Sequence, residues 1–358
     1  MQKNNFFLRW VKRLITILAV LSLVVLLFSA FADRVSPLTS RYIPFLGLFF
    51  PFILAFNVAF GVFWLLFRQW KQFFLTVVVL FICWASIRTY FSFHNRTKNL
   101  PENCVKMLTY NTMSLGRHHR HTKSDPNPIL QYIVEQDPDI LCLQEYVAGW
   151  NLPEAEIRRI LKSMPYFCTY PNGLALFSKF PILSSRKIPI ESNFNSSMLA
   201  ELDVNGRKLT LINNHLESNK ISADERNEYY DLTKDWDKDR WESFTYRMYQ
   251  RLNPAFQLRA KQAVTIRRLI DESKNPYIIV CGDFNDTPIS YSRRVIKGDL
   301  VDAFVESGSG MGISFNSNRF LFRIDYIFHS KNIKSYNCTV GKLKASDHYP
   351  VWTYLEFL

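Results

Sequence analysis

The first hundred residues carry a single acidic side chain, Asp33, against eleven lysines and arginines, and three stretches there are almost without charge. Leu14 to Ala32 holds no charge, nor does Tyr42 to Phe67; the third stretch runs from Phe73 to Ile87 and reaches Phe93 if Arg88 is tolerated. A helix needs roughly 20 apolar residues to cross the hydrocarbon of a bilayer. Residues 1–100 are therefore expected to form a membrane anchor of about three transmembrane helices, near 14–32, 43–67 and 73–93. Pro44 and Pro51 are expected to kink or delay the second, which membranes tolerate. Trp10, Trp64, Trp70 and Trp84 suit interfacial or packed positions. The basic N-tail and the small residues Phe28-Ser29-Ala30 share features with a cleaved signal, but the apolar run is long for one and two more follow.

Lys and Arg near the spans set the expected orientation. Lys3, Arg9, Lys12, Arg13, Arg68 and Lys71 fall on one side, and Arg34, Arg41, Arg96 and Lys98 on the other. The excess on the first side puts the N-terminus in the cytoplasm. Three spans then place the rest of the chain outside it, so the expectation is a multi-pass protein of the cell (inner) membrane with an extracytoplasmic catalytic domain.

The formal net charge of +13 belongs mostly to this segment, because residues 101–358 hold 33 basic and 30 acidic side chains. A domain so close to neutral lacks the excess of cations that strong non-specific nucleic-acid binding uses. The six cysteines, Cys83, Cys104, Cys142, Cys168, Cys281 and Cys338, show no paired spacing suited to zinc. Five in residues 101–358 is an odd number, which excludes full disulfide pairing there.

After Pro101 the pattern changes to short strands and a few helices. Strands are expected at Val105 to Tyr110, Ile140 to Gln144, Leu174 to Phe177, Ile182 to Ile188, Ile278 to Cys281, Tyr326 to His329 and Val351 to Leu355. Met198 to Val204, Asn205-Gly206 and Lys208 to Asn213 make a hairpin signal. Helices are expected at Pro128 to Glu135, at 153–163 and, strongly amphipathic, at Gln257 to Glu272. Residues 219–256 are charged and aromatic and are expected to be a helical insertion with a loose loop. Two face-to-face sheets with helices outside fit this order, an α+β class.

Polar groups able to do chemistry sit where those strands end. Asn111, Gln144-Glu145, Asn213-Asn214-His215, Gly282-Asp283-Phe284-Asn285-Asp286, Asp325 and Ser346-Asp347-His348 each adjoin an apolar strand. One Asn or Asp after a strand is usually a turn former. Together, carboxylates, amides and two imidazoles at strand ends suit a site that binds a hard cation through oxygen and hydrolyses a phosphate ester.

These pieces resemble the endonuclease/exonuclease/phosphatase (DNase I-like) superfamily. The resemblance runs through Thr109-Tyr110-Asn111, Leu143-Gln144-Glu145, Gly173 to Pro181, Asn213-Asn214-His215-Leu216, Gly282-Asp283-Phe284-Asn285, Arg323 to Phe328 and Ser346 to Val351, in the family's order across residues 101–358. It implies a four-layer α/β/β/α sandwich and a Mg²⁺-dependent hydrolase, with Mn²⁺ or Ca²⁺ as alternative ions. It implies Glu145, Asn111 and Asp347 as metal positions, and Asp283 as the group that orients or deprotonates water. Asn285 would fix phosphate or water, His348 would contact the scissile phosphate and Asp325 would orient it. His215 would donate toward phosphate or leaving group, and Asn111 and Asn213 would help hold substrate.

The resemblance does not choose the substrate, which the loops at 112–127, 189–197 and 219–256 are expected to select. Three readings stand: a phosphodiesterase of lipid or another phosphate ester held at the bilayer, an anchored endo- or exonuclease, and an inactive binding module. The run Arg117-His118-His119-Arg120-His121 reads as a solvated basic stretch rather than a metal cluster.

Overall fold

The computed structural model describes residues 2–116, 119, 121–122, 124–149, 152–192, 194–317 and 320–358. Arg117, His118 and Arg120 of the basic stretch lie outside them. His119 faces Asp125, and His121 Nδ1 accepts the N–H of Asn127, the residue that caps the Pro128–Gln136 helix.

The N-terminal segment is mainly helical, with turns at 35–42 and a short strand at Ser92–Phe93. The Gln2–Ala30 helix contains 22 residues, Arg9–Ala30, long and apolar enough to cross a bilayer. The second expected span is divided into Ile43–Leu48 and Phe50–Leu66. Pro51 has no N–H to give Gly47, and its ring crowds that carbonyl, so the helix stops and restarts with proline in its first turn. The third is a pair, Trp70–Ile82 and Trp84–Tyr90, bent by 65°. Thus one helix of spanning length forms where three were expected; beside it stand a 17-residue apolar helix and a bent pair that reaches that length only when joined. Leu26, Phe50 and Val79 pack between them, and buried Asn57 accepts a hydrogen bond from Ser22 Oγ at 2.8 Å.

Among the described residues, twelve strands form two six-stranded sheets. In chain order they are β1 Val105–Asn111, β2 Ile140–Gln144, β3 Tyr166–Tyr170, β4 Leu174–Ser178, β5 Ile182–Ile188, β6 Ser196–Val204, β7 Arg207–His215, β8 Tyr277–Asp283, β9 Val301–Asp302, β10 Asp325–His329, β11 Ile333–Val340 and β12 Val351–Phe357. The first sheet has the order β11-β12-β1-β2-β4-β3 and the second β9-β10-β8-β7-β6-β5. Pairs β1–β2 and β7–β8 are parallel, the others antiparallel. Asn205 and Gly206 both take positive φ, 53° and 82°, as the two-residue turn between β6 and β7 requires.

Alternation along the strands sorts the core. Met107, Ile140, Cys142, Leu174 and Leu176 of one sheet meet Ala200, Leu209, Leu211, Ile279, Cys281 and Ile327 of the other. Each such aliphatic side chain contributes about 2 kcal/mol by leaving water. The opposite faces are covered by helices. Pro128–Gln136 and Glu154–Ile160 lie on the first sheet through Ile129, Ile133 and Ile157. The C-terminal half of Lys238–Glu272 and the Tyr291–Lys297 helix lie on the second through Ala263, Ile266, Ile270 and Ile296. The layers run α/β/β/α.

Residues 219–256 are helical as expected, with a short non-helical stretch at 233–237. After the Ala223–Leu232 helix, the Lys238–Glu272 helix runs on for 35 residues through Pro254 without a break. Its apolar residues Phe244, Met248, Leu252 and Phe256 pack with Phe45 and Leu48 of the N-terminal segment. That segment is docked elsewhere too: Gly47 lies against the carbonyl of Ile289, Arg323 hydrogen-bonds the Thr89 carbonyl, and Asp33 faces Arg294 at 3.6 Å.

Candidate active site

The face of each central strand that carries the inter-sheet core also carries the candidate residues, because side chains alternate with a period of two. Beyond Val105 and Met107 on β1 come Thr109 and Asn111; beyond Ile140 and Cys142 on β2 comes Gln144. Leu209 and Leu211 on β7 are followed by Asn213 and His215, and Ile279 and Cys281 on β8 by Asp283. On β10 Asp325 opens the strand, ahead of Ile327. Register sets them side by side, with Asn111 opposite Gln144, His215 opposite Asp283 and Asp283 opposite Asp325. The apolar core therefore gives way to a polar mouth at one end of the sandwich.

Asn111 is at its centre. Its Nδ2 donates to Glu145 Oε1 at 3.1 Å and to Asp283 Oδ2 at 3.0 Å. Glu145 follows β2 with φ 48° and a side chain 41% exposed. Room for this turn comes from Gly173, where a Cβ would stand 2.9 Å from the Glu145 Cα. Asn285, also at positive φ, donates its N–H to Asp283 Oδ1 at 2.8 Å and its Nδ2 to the Leu216 carbonyl at 3.0 Å. His215 Nε2 lies 3.7 Å from both Glu145 Oε1 and Asp283 Oδ2.

His348 closes the mouth from the loop before β12. Its Nδ1 hydrogen-bonds Asp325 Oδ2 at 2.9 Å, and its Nε2 is 3.6 Å from Asp283 Oδ2. Ser346 Oγ fixes the loop by donating to the Asn111 carbonyl at 2.9 Å and accepting the His348 N–H at 3.1 Å. The Phe315 ring meets the imidazole edge-on at 5.0 Å.

Charge follows from burial and these neighbours. Burial opposes the His348 imidazolium, but Asp325 and Asp283 overcome it and hold its pKa up at about 10. Burial pushes Asp283 upward against the pull of His348. His215 is pushed down by burial, despite Asp283.

Two expected residues are placed differently. Asn213 is fully buried beneath the mouth, where it ties the sheets together: it accepts from Gln144 Nε2 at 2.7 Å and donates to the carbonyls of Leu143 and Ala175. It lies one pleat too deep to reach a substrate, and His215 occupies the rim position of the same face. The Asp347 carboxylate meets Ser346 Oγ at 3.5 Å and forms no hydrogen bond with Asn111, Glu145 or Asp283 among the described residues. Phe315 is a wall residue that strand-end reasoning missed, because its short strand, Phe315–Ser317, has no apolar run before it.

The donor set fits a hard cation. Two carboxylates, Glu145 and Asp283, share one amide nitrogen, and anions so close repel unless positive charge or N–H donors stand between them. Their oxygens suit Mg²⁺ better than zinc. Asp283, Asp325 and His348 also present ligand atoms within 4.8 Å of one another. An imidazole held protonated between two carboxylates has no free lone pair, so that trio is an ion-paired relay. Asp325 Oδ1 and His215 Nδ1 are buried and have no hydrogen-bond partner among the described residues.

Comparison with known proteins agrees with this geometry. Residues 108–348, about two thirds of the chain, match the model of the Endonuclease/Exonuclease/phosphatase family. Residues 12–90 match a Domain of unknown function (DUF8431). No curated protein matches the sequence. Among solved structures, the human Nocturnin catalytic domain with bound sulfate anion is similar at 17% identity and TM-score 0.52, over 74% of this chain and 97% of that one. A humanized D. rerio TDP2 aligns at 16% identity and TM-score 0.49, over 71% of this chain and 100% of that one. An endonuclease/exonuclease/phosphatase from Bacteroides vulgatus aligns at 17% and 0.49, over 71% and 99%. At such identity the Nocturnin likeness speaks for the fold, and the family match, covering every strand end that forms the mouth, speaks for the lineage: this chain belongs to the endonuclease/exonuclease/phosphatase family.

Proposed function

We propose that this protein is a membrane-held, metal-dependent phosphoesterase that hydrolyses phosphodiester bonds by in-line attack of water. The convergence of Asn111, His215, Asp283, Asp325 and His348 on one mouth carries this reading. Glu145 and Asn111 would hold Mg²⁺, with Asp347 a further candidate ligand; the bound ion would supply positive charge to the phosphoryl oxygens. Asp283, raised by burial and so a better proton acceptor than a solvated carboxylate, takes the proton of the attacking water. The new P–O bond forms as the opposite one breaks, and the departing oxygen takes its proton from solvent water. Asn285 fixes the Asp283 carboxylate toward that water. His348, held as an imidazolium by Asp325, offsets charge growing on the phosphoryl group. His215 gives a hydrogen bond toward the leaving oxygen, and Asn213 keeps the sheets in register beneath.

The helical segment is read as the anchor, residues 1–100, with 101–358 as the catalytic unit. The Arg9–Ala30 helix supports one crossing. The excess of Lys3, Arg9, Lys12 and Arg13 before it over Arg34 and Arg41 after it supports a catalytic unit outside the cytoplasm. The near balance of 33 basic and 30 acidic residues after position 100 weighs against a nuclease.

The test is hydrolysis of bis-p-nitrophenyl phosphate by the full chain in detergent, with Mg²⁺ or EDTA. Activity abolished by EDTA and by Asp283→Asn supports the proposal. Retention of activity by that variant would refute the site, and inactivity of a folded wild-type chain towards this ester and towards supercoiled plasmid would refute the reaction.

A further inference from the structure

The loops that leave β7 and β8 carry His215, Asp283 and Asn285 past the last rung of the second sheet. That rung is the Leu216 N–H on the Asp283 carbonyl at 2.9 Å. Beyond it, strand pairing no longer fixes either loop, and one guanidinium spans both. Arg259, on the Lys238–Glu272 helix, is fully buried. Its Nε donates to Asp286 Oδ2 at 3.2 Å, on the loop after β8. Its Nη1 donates to the Glu217 carbonyl at 2.8 Å and to Asn219 Oδ1 at 2.9 Å, on the loop after β7. One turn along the helix, Gln262 Oε1 accepts the Glu217 N–H at 3.0 Å.

A guanidinium has donors and no acceptor, so it dictates which way the Asn219 amide points. The oxygen must face Arg259, which turns Nδ2 toward Asn285, whose carbonyl it meets at 3.2 Å. Asn285 stands at φ 52°, a conformation that a side chain makes costly, so its backbone needs holding. Its own N–H rests on Asp283 Oδ1 at 2.8 Å. The contacts therefore run from Arg259 through Asn219 and Asn285 to the carboxylate read as the proton acceptor.

Stability does not account for this arginine. A buried ion pair gains little over apolar side chains of the same volume. Arg259 Nη2 is moreover buried with no hydrogen-bond partner among the described residues. What a rigid fork supplies, and an ammonium does not, is a simultaneous hold on two loops.

We infer that Arg259 and Asn219 are positioning residues for the reaction: Arg259 sets the Asn219 amide, Asn219 holds the Asn285 backbone, and Asn285 aims the Asp283 carboxylate. This rests on the phosphoesterase reading and extends its machinery to the long helix.

The test is hydrolysis of bis-p-nitrophenyl phosphate by the full chain in detergent with saturating Mg²⁺. Arg259→Lys and Asn219→Ala are each expected to lower kcat at least about tenfold while KM stays within about twofold. In an Asn285→Ala background each is expected to lower kcat by less than about twofold more, because the link is already cut. A merely structural role would cost the same factor in both backgrounds. That multiplicative result, or full activity of Asn219→Ala, would overturn the inference while wild-type turnover upheld the phosphoesterase reading. Asn219 is only half-buried, so its variant decides the matter if Arg259→Lys fails to fold. A folded wild-type chain inactive towards this ester and towards supercoiled plasmid would remove both.

Discussion

Asp325 holds the Nδ1 of His348 at 2.9 Å, while its other oxygen is buried and unpaired among the described residues. The carboxylate thus spends one oxygen on orienting the imidazole and keeps it cationic. Asp325→Asn preserves the shape but removes the charge. Phosphodiester hydrolysis is expected to fall at least about a hundredfold, by analogy with orienting carboxylates in hydrolytic triads. The check is kcat with far-UV circular dichroism alongside; an active, folded variant would show that the imidazolium is dispensable.

Glu145 and Asn111 are expected to set the metal requirement. Glu145→Gln keeps the volume and loses the charge, so the Mg²⁺ concentration for half-maximal activity is expected to rise about 10- to 100-fold or more. A Mg²⁺ titration of hydrolysis reads this directly, and EDTA should silence the wild-type protein. An unchanged titration in Glu145→Gln would move the cation elsewhere.

Acid should loosen the edge of the second sheet. Burial opposes the Glu306 charge, but His329 Nε2 at 3.2 Å and the N–H of Ser335 at 2.8 Å, with its hydroxyl, win and bring its pKa from 4.5 down to about 2. A carboxyl depressed in the folded state stabilises the fold above its unfolded pKa, and that stability is lost as pH falls toward the folded value. Between pH 4.5 and about 2, the melting-temperature advantage of wild type over Glu306→Gln should shrink to nothing. A constant difference across that range would contradict the assignment.

Gly47 leaves no space for a side chain, since a Cβ there would stand 2.2 Å from the Ile289 carbonyl oxygen. Gly47→Val must push the N-terminal helices off the loop that follows Asp283. Overpacking of this kind costs about 1–3 kcal/mol. Thermal unfolding in detergent is expected at lower temperature, and a melting point equal to wild type would show that the segment is not docked as described.

Much of this was legible in the sequence because strand chemistry is local. β1, β2, β7 and β8 are central strands buried on both faces, so they read as apolar runs, and the polar residues that end them stood out. Of the edge strands, β5 was read and the others were not. β3 and β11 each close one side of the first sheet, carry polar residues such as Thr169, Lys334 and Asn337, and β11 shifts register between Tyr336 and Thr339. The change at 256 from a charged, aromatic stretch to a strongly amphipathic one suggested a boundary there, but one helix runs through it, packed through Leu252 and Phe256. The depth of Asn213 was not readable either: composition shows that a polar residue ends a strand, but not whether it stands at the rim or one pleat below. Pro44 and Pro51 marked the second apolar run for a kink, and its helix breaks at Phe49; the third looked uniform, yet bends near Cys83.

The close fit of Gly47 on Ile289, with the Arg323–Thr89 and Asp33–Arg294 contacts beside it, has a kinetic meaning. A domain on a slack tether samples every tilt and height above its membrane and meets its targets in three dimensions. On the proposed anchoring, one seated this firmly would keep a fixed attitude, and encounter would become a search in the plane of the lipid. Turnover would then follow the number of target molecules per unit area, whatever the volume of the compartment outside.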